Sequence, residues 1–330
     1  MNGSRPSEVY LGVDVGGTKT AVLLSVEPPA SLGRIEFATL PEQGPERALN
    51  LVVEAGRSLL AQHGFTQPSA VGVSCGSPLD RVQGIIQAPP NLSTWVDVPI
   101  RRLLEEAFPC PCQVENDANA GAVAEHRFGA GVGTQHMVFL TLGTGLGAGI
   151  IANGGLYLGA SGDAGEIGHV RLSPTGPVGY HKAGSIEGWS SGGGIAQLAV
   201  RMLAQAERRG RSSVLHAQVA GGLTARDVGR AAQAGDAIAL SILRSSGERL
   251  GQALAMLVDV LNPQRIVLGG LAWRMGESLL APMRRVLARE ALPQTLRACE
   301  IVPAALGEQI GDVAALCVAM GLEGPYLRPG

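Results

Sequence analysis

Apolar, β-prone residues fill positions 9–15 and again 20–26, broken only by Asp14 and a polar turn, Gly16-Gly17-Thr18-Lys19. The pattern returns at 138–142 and 148–152, around Gly143-Thr144-Gly145-Leu146-Gly147. Both segments read as strand, glycine turn, strand. A Walker P-loop or a dinucleotide fingerprint needs a strand followed by a helix, and neither spacing is met. Helical spacing of apolar residues predicts a helix over 46–63, with Leu49, Val52, Val53, Leu59 and Leu60 on its buried face. Further helices are predicted at 99–108, 116–128, 194–209 and 312–320, and a long one at 236–261 stopped by Asn262-Pro263. Thr224 and Asp227 have the spacing of a capping box for another. Strands are expected at 70–74, 112–115, 265–268 and 300–304, the third ending in Gly269-Gly270 and a helix. Three stretches read as irregular: 76–99, the glycine-rich 153–191, and a polar excursion at 210–222.

A chain of 330 residues with 45% hydrophobic and 16% charged side chains is long enough for two domains with large cores. The net charge is −2 with no basic stripe, which argues against nucleic acid as a partner. The longest apolar candidate, 250–261, contains Asp259, so no membrane span is expected. The first residues lack the apolar core of a signal peptide, and a cytoplasmic location is expected. Cysteines at 75, 110, 112, 299 and 317 form no disulfide framework. Cys110 and Cys112 stand too close together for a zinc knuckle and read as structural. Lys19 and Lys182 are the only lysines, and both fall in segments with candidate chemistry.

Either glycine turn alone is also an ordinary tight hairpin. Two of them, about 125 residues apart, point to a duplicated fold that holds a nucleotide phosphate chain between two hairpins. Glycine lets backbone N–H groups approach phosphate oxygens, and threonine hydroxyls can donate. Gly16, Gly17, Thr18, Gly143, Thr144 and Gly145 are therefore candidate phosphate contacts. Lys19 pairs with a phosphate or lies in solvent. Asp14, at the end of its strand, is placed to hold magnesium through water, or else to act as an Asx-turn residue. Asn116-Asp117 opens a helix, where both residue types are also preferred caps. In a functional reading the pair binds a hydroxyl and Asp117 is the general base. Glu166, His169 and Glu187, among glycines, could bind several sugar hydroxyls or belong to a solvated loop. Gly269-Gly270, at the carboxyl end of a strand, could support a flat adenine.

Taken together, Asp14-Val15-Gly16-Gly17-Thr18-Lys19, Ala88-Pro89-Pro90-Asn91-Leu92, Asn116-Asp117-Ala118-Asn119-Ala120, Gly143-Thr144-Gly145, Glu166-Ile167-Gly168-His169, Glu187-Gly188 and Gly269-Gly270 resemble the ROK family of bacterial sugar kinases and sugar-responsive repressors. The resemblance runs along nearly the whole chain. It implies an α/β, actin-like ATPase (ribonuclease-H-like) two-domain fold with an interdomain cleft. The expected division is a small domain of 1–115 plus 308–330 and a large domain of 116–307. It implies ATP and Mg2+ as cofactors, a small-molecule sugar as partner, and a homo-oligomer (dimer or tetramer). By position, Asp117 matches the family's catalytic base, and Asn91, Asn116, Glu166, His169 and Glu187 match its sugar-binding residues.

The implied reaction is ATP-dependent phosphorylation of a hexose, with the 6-hydroxyl of glucose as the leading acceptor. N-acetylmannosamine, N-acetylglucosamine, fructose and allose are alternatives, and a non-catalytic sugar-sensing regulator is an alternative of another class. The family's repressors carry an N-terminal helix-turn-helix domain, for which a first strand near Val9 leaves no room. The family also usually has a zinc motif, Cys-x-Cys-Gly-x-x-Gly-Cys, whose cysteine positions here hold Val178, Tyr180 and Ser185. Soft thiolate ligands are missing, His181 offers only one substitute, and no zinc is expected. Tyr180 packing and loop hydrogen bonds are expected to hold the sugar loop instead.

Overall fold

The computed structural model describes residues 8–322. The N-terminal stretch read above for a leader, and the last residues of the expected small domain, lie outside the described residues. The chain divides into two compact units.

The first unit comprises the chain up to Gly133, Ile151–Tyr157, and the chain from Leu306 on. Its sheet is built from β1 (Tyr10–Val15), β2 (Lys19–Ser25), β3 (Gly33–Ala38), β4 (Ala70–Cys75) and, after the two-stranded ribbon β5 (Leu79–Asp80) and β6 (Ile85–Ile86), β7 (Cys112–Asn116). The order is β3-β2-β1-β4-β7, with β1, β2 and β3 antiparallel and β4 and β7 parallel to β1. The apolar runs seen in the sequence are the central strands, where Leu11, Val13, Val71 and Val73 are fully buried. Edge strand β3 alternates half-buried and exposed residues, as an edge with one solvated face should.

Helices α1 (Pro45–Gln62) and α2 (Ile100–Ala107) cover one face, burying Leu59, Leu60 and Leu104. The other face packs against a C-terminal helix, Ile310–Ala319, which also packs on α3 (Asp117–Phe128). Gly12 and Gly72 are register partners beneath that C-terminal helix. A Cβ on Gly72 would overlap the backbone of Ala315 and Ala319. Gly72→Ala should therefore lower stability by about 3 kcal/mol, read as a drop in denaturation midpoint, because the obstacle is backbone that cannot swing aside.

The sequence reading placed a domain boundary at 115. The contacts group residues through Gly133 with the first unit, because β7 runs directly into α3 and α3 is packed on the C-terminal helix. The stretch 76–99, read as an irregular loop, is anchored in the core of the first unit: Leu92 and Trp95, around a 3-10 turn at Pro90–Leu92, are both fully buried and join the cluster that holds Leu11, Val13 and Val73.

The second unit comprises Thr134–Ile150 and Leu158–Ala305. A second five-stranded sheet contains β8 (Met137–Leu142), β9 (Leu146–Ala152) and β10 (Gly155–Leu156), with β10 and the last residues of β9 falling in the segment grouped with the first unit. Beyond the small ribbon β11 (Val178–Gly179) and β12 (Lys182–Ala183), it is completed by β13 (Arg265–Leu268) and β14 (Glu300–Pro303). Its order, β10-β9-β8-β13-β14, repeats the first sheet strand for strand: a hairpin, a third antiparallel strand, then two parallel strands. The duplication inferred from two glycine turns is thus a duplication of whole sheets.

The helices are α4 (Ile186–Ser190), α5 (Gly192–Arg208), α6 (Ala225–Gln233), α7 (Ala237–Leu261), α8 (Gly270–Arg274), α9 (Glu277–Glu290), α10 (Pro293–Arg297) and, back in the first unit, α11 (Ile310–Ala319). The capping box of α6 forms between Thr224 and Asp227, and α7 ends at Asn262 in the left-handed conformation, just before Pro263. The excursion at 210–222 is not wholly irregular. Ser213 caps a 3-10 segment, Val214–Gly221, that is pinned by fully buried Leu215. No helix among the described residues is long and apolar enough to cross a membrane.

Candidate functional site

In the first unit, Asp14 is the penultimate residue of β1, with Ala21 and Ser74 as its register partners. The turn that follows is closed by Gly16 N donating to Lys19 O (3.0 Å). Thr39, a residue no motif singled out, braces this turn from outside. Its amide donates to Thr18 O (3.1 Å), and its hydroxyl donates to Gly16 O (2.7 Å) and meets the Thr20 hydroxyl at 2.8 Å. Thr39→Val removes the hydroxyl contacts and keeps the shape. It should raise the ATP KM by about fivefold and leave the sugar KM unchanged, measured by steady-state kinetics.

Gly17 lies against Asn91, with space only for hydrogen: a Cβ there would stand 2.7 Å from Asn91 Cβ and O. The Asn91 amide and the Asp117 carboxylate both approach Gly76, at 3.5 Å and 4.0 Å from where its Cβ would be. Asp117 is the first residue of α3. Asn116 caps that helix, its Oδ1 accepting from Ala118 N (2.9 Å) and Asn119 N (3.2 Å) and its Nδ2 donating to the Ser77 hydroxyl. Both ends of the Asn116 amide, a residue expected among the sugar ligands, also fix the entry into α3. Behind it, buried Glu115 accepts from Arg81 (2.8 Å), Asn119 Nδ2 (3.1 Å) and Asn116 N (2.9 Å). That network also carried no sequence signature.

Burial, with the charges of Asp117 and Asp312 adding to it, raises the Asp14 pKa to about 7. Lys19 and Arg34 oppose this weakly, since both are paired elsewhere: Lys19 with Glu36 at 2.9 Å, and Arg34 with Glu36 and Asp312. The ammonium of Lys19, expected at a phosphate or in solvent, is exposed and paired with Glu36 of β3. Burial also raises the Asp117 pKa, against the pull of the Ala118 amide. Asp117 still presents surface to solvent, so it is enclosed by protein mass and yet reachable. The Asp14 carboxylate accepts no hydrogen bond among the described residues. A hard oxygen donor, without a protein partner and beside like charge, fits a divalent cation.

In the second unit, the turn Gly143-Thr144-Gly145 is exposed and joins β8 to β9. Its carbonyls are tied down by the start of α5: Gly192 N donates to Gly143 O (2.8 Å) and Gly193 N to Thr144 O (3.1 Å). Ser191 caps that helix through Gly194 N (3.1 Å). The amides of Thr144 and Gly145 are not used by any described hydrogen bond, which leaves them for a ligand. Glu187, on α4, accepts from Leu146 N at 3.0 Å and packs against Gly145. Glu166 and His169 bracket a 3-10 turn, Ile167–His169, and Gly168 has room for no side chain between Leu146 O and Glu187. The His169 ring meets Tyr180 edge-on, centroids 6.1 Å apart. Gly269 backs the same turn, donating to Leu140 O (2.8 Å), and Gly270 begins α8.

These residues are those of a known family, whose model matches residues 10–321 of this chain. The chain belongs to the ROK family. Among ROK relatives, a glucokinase of Halalkalibacterium halodurans is 36% identical over 308 residues, 92% of each chain. The ROK hexokinase of Thermus thermophilus superposes with a TM-score of 0.77 at 31% identity, covering 94% of this chain and 98% of that one. A ROK glucokinase from Streptomyces griseus, solved with glucose and AMPPNP, gives a TM-score of 0.75 at 32% identity, covering 95% and 99%. The ROK fold is the actin-like ATPase fold, and the paired sheets described above are its signature.

Proposed function

We propose that this protein is an ATP-dependent sugar kinase whose acceptor is the 6-hydroxyl of glucose. The observation that carries the reading is Asp117: a carboxylate at a helix start, aimed by the Asn116 cap, grouped with Asn91, and beside an unpartnered Asp14. Glucokinases at 30% identity or more over most of this chain, and a neighbour solved with glucose, support glucose as the acceptor.

Asp117 orients the sugar hydroxyl and accepts its proton as the phosphoryl group arrives. Phosphoryl transfer is mostly positioning and charge stabilisation, so no strong base is required. Asn91, Glu166, His169 and Glu187 hold the other hydroxyls, and a site of such acceptors and donors rejects analogues that lack one. Thr18, Thr144 and the glycine amides around them bind the phosphates, and the backbone at Gly269-Gly270 supports the adenine. Asp14 would hold magnesium through water, and the ion neutralises phosphate charge when bound. Asn116 aims Asp117 through its cap and stands with it as a sugar-binding residue.

A coupled ADP-release assay with ATP, magnesium and a panel of hexoses and N-acetylhexosamines tests the reading. Glucose should give the highest kcat/KM. Faster turnover of an N-acetylated sugar would replace the substrate and keep the chemistry. Sugar binding without turnover on any member would assign a sensor instead of a kinase.

A further inference from the structure

Glu166, His169 and Glu187 stand on a three-residue 3-10 turn and a five-residue helix, elements too short to keep their shape alone. Something else must hold them. The three positions at which the family carries zinc thiolates hold Val178, Tyr180 and Ser185, and no group of three or more His, Cys, Asp or Glu among the described residues could hold a metal. That donor set does not fit zinc.

What stands there is a hydrogen-bonded frame. β11 and β12 pair antiparallel across a two-residue turn, Tyr180-His181, with positive φ at both residues (38° and 64°). Such a turn matches strand twist but is disfavoured for side chains this large, so its surroundings must impose it. The Lys182 ammonium donates to His169 O (2.9 Å) across the frame. Gly184 N donates to Pro177 O, Leu172 N to Gly184 O, and Ile186 N to Val170 O, each at 2.8–2.9 Å.

The helix bearing Glu187 is anchored at both ends. At its start, fully buried Ser185 accepts from Gly188 N (3.1 Å). At its end, the Trp189 indole donates to the Ser173 hydroxyl (2.9 Å), which donates on to Thr175 O (2.7 Å), while the Arg249 guanidinium lies 5.0 Å from the centroid of the same ring. Glu187 sits between these anchors, with its carboxylate on Leu146 N.

We propose that Ser185 and Trp189 are positioning residues that hold Glu187 where related chains use a thiolate-bound zinc, so that sugar binding by this protein needs no metal in that loop. The proposal rests on the reading of Glu187 as a sugar ligand. A hydroxyl cap and an indole donor replace metal bonds with hydrogen bonds that do not depend on zinc supply or on thiol oxidation.

The test measures two quantities on the full chain: zinc content by elemental mass spectrometry, and glucose affinity by titration calorimetry, each before and after dialysis against a strong chelator. The expected result is far less than one zinc per chain and an unchanged affinity. Ser185→Ala and Trp189→Phe should each weaken glucose binding by about fivefold and leave ATP affinity unchanged, and Ser185→Thr, which keeps the cap oxygen, should restore it. One zinc per chain, with affinity lost on chelation, overturns the proposal whatever the protein phosphorylates. Wild-type protein that binds glucose while both variants bind it equally well overturns the positioning roles alone. Wild-type protein that binds no sugar overturns those roles together with the kinase reading, and the zinc content still decides the metal question.

Discussion

Asp117→Asn is expected to lower kcat by about 10²–10⁴-fold while glucose affinity stays close to wild type. Asparagine keeps the size of the side chain and the start of α3, whose cap is Asn116 and not Asp117. It removes the negative charge, and with it the ability to take a proton. Steady-state kinetics and calorimetry on the same preparation separate the two effects. Because burial raises the Asp117 pKa above the ordinary carboxylate value, the wild-type rate should fall on the acid side at a pH higher than a free aspartate would give. The variant's residual rate should not show that limb. Equal kcat in the two proteins would remove Asp117 from the chemistry.

Asp14→Asn should have the second-largest effect, a loss of about 10²–10³-fold in kcat/KM for ATP, since the proposed magnesium would lose its carboxylate. The same change should stabilise the ligand-free protein. Asp14 titrates at about 7 in the folded chain against 3.8 for the ordinary side chain. Between those values the folded state keeps a proton that the unfolded state has released. Stability therefore declines as pH rises from 3.8 to about 7 and stays lower above it. Asparagine escapes this penalty. The variant's Tm should match wild type at pH 4 and exceed it at pH 8, and magnesium with nucleotide should close the gap by acting on wild type alone. A Tm difference that did not change with pH would mean that Asp14 is not under electrostatic strain. The trade of stability for function is what an unpartnered carboxylate at a cation site requires.

Much of this was legible in the chain because its strongest signals are local. The two glycine turns, the Thr224 capping box, the Asn262-Pro263 stop and the Asn116 cap are each written within a few residues, and each appears in the structure at its predicted place. What was not legible depends on neighbours far apart in sequence. Thr39 braces the turn at 16–18 from across the sheet, and nothing around it marks it. Gly192 and Gly193, just before the helix expected at 194–209, hold the second turn by its carbonyls, a role that nothing in their local sequence announces. The grouping of α3 with α11 rests on contacts between segments about 190 residues apart, which no local pattern announces. The loop at 76–99 looked open because proline and glycine mask the buried pair Leu92 and Trp95. The Ser77 hydroxyl that meets the Asn116 amide lies 39 residues away, and that contact is visible only in three dimensions.

The most direct measurement is of the product. Incubating the protein with ATP, magnesium and glucose and recording a proton–phosphorus correlated NMR spectrum should show one new phosphate, coupled to the protons on carbon 6, growing in step with ADP. ADP formed without any sugar phosphate, a phosphate on another carbon, or no ADP from a preparation that binds both glucose and ATP would contradict the assignment of this protein as a glucose 6-kinase.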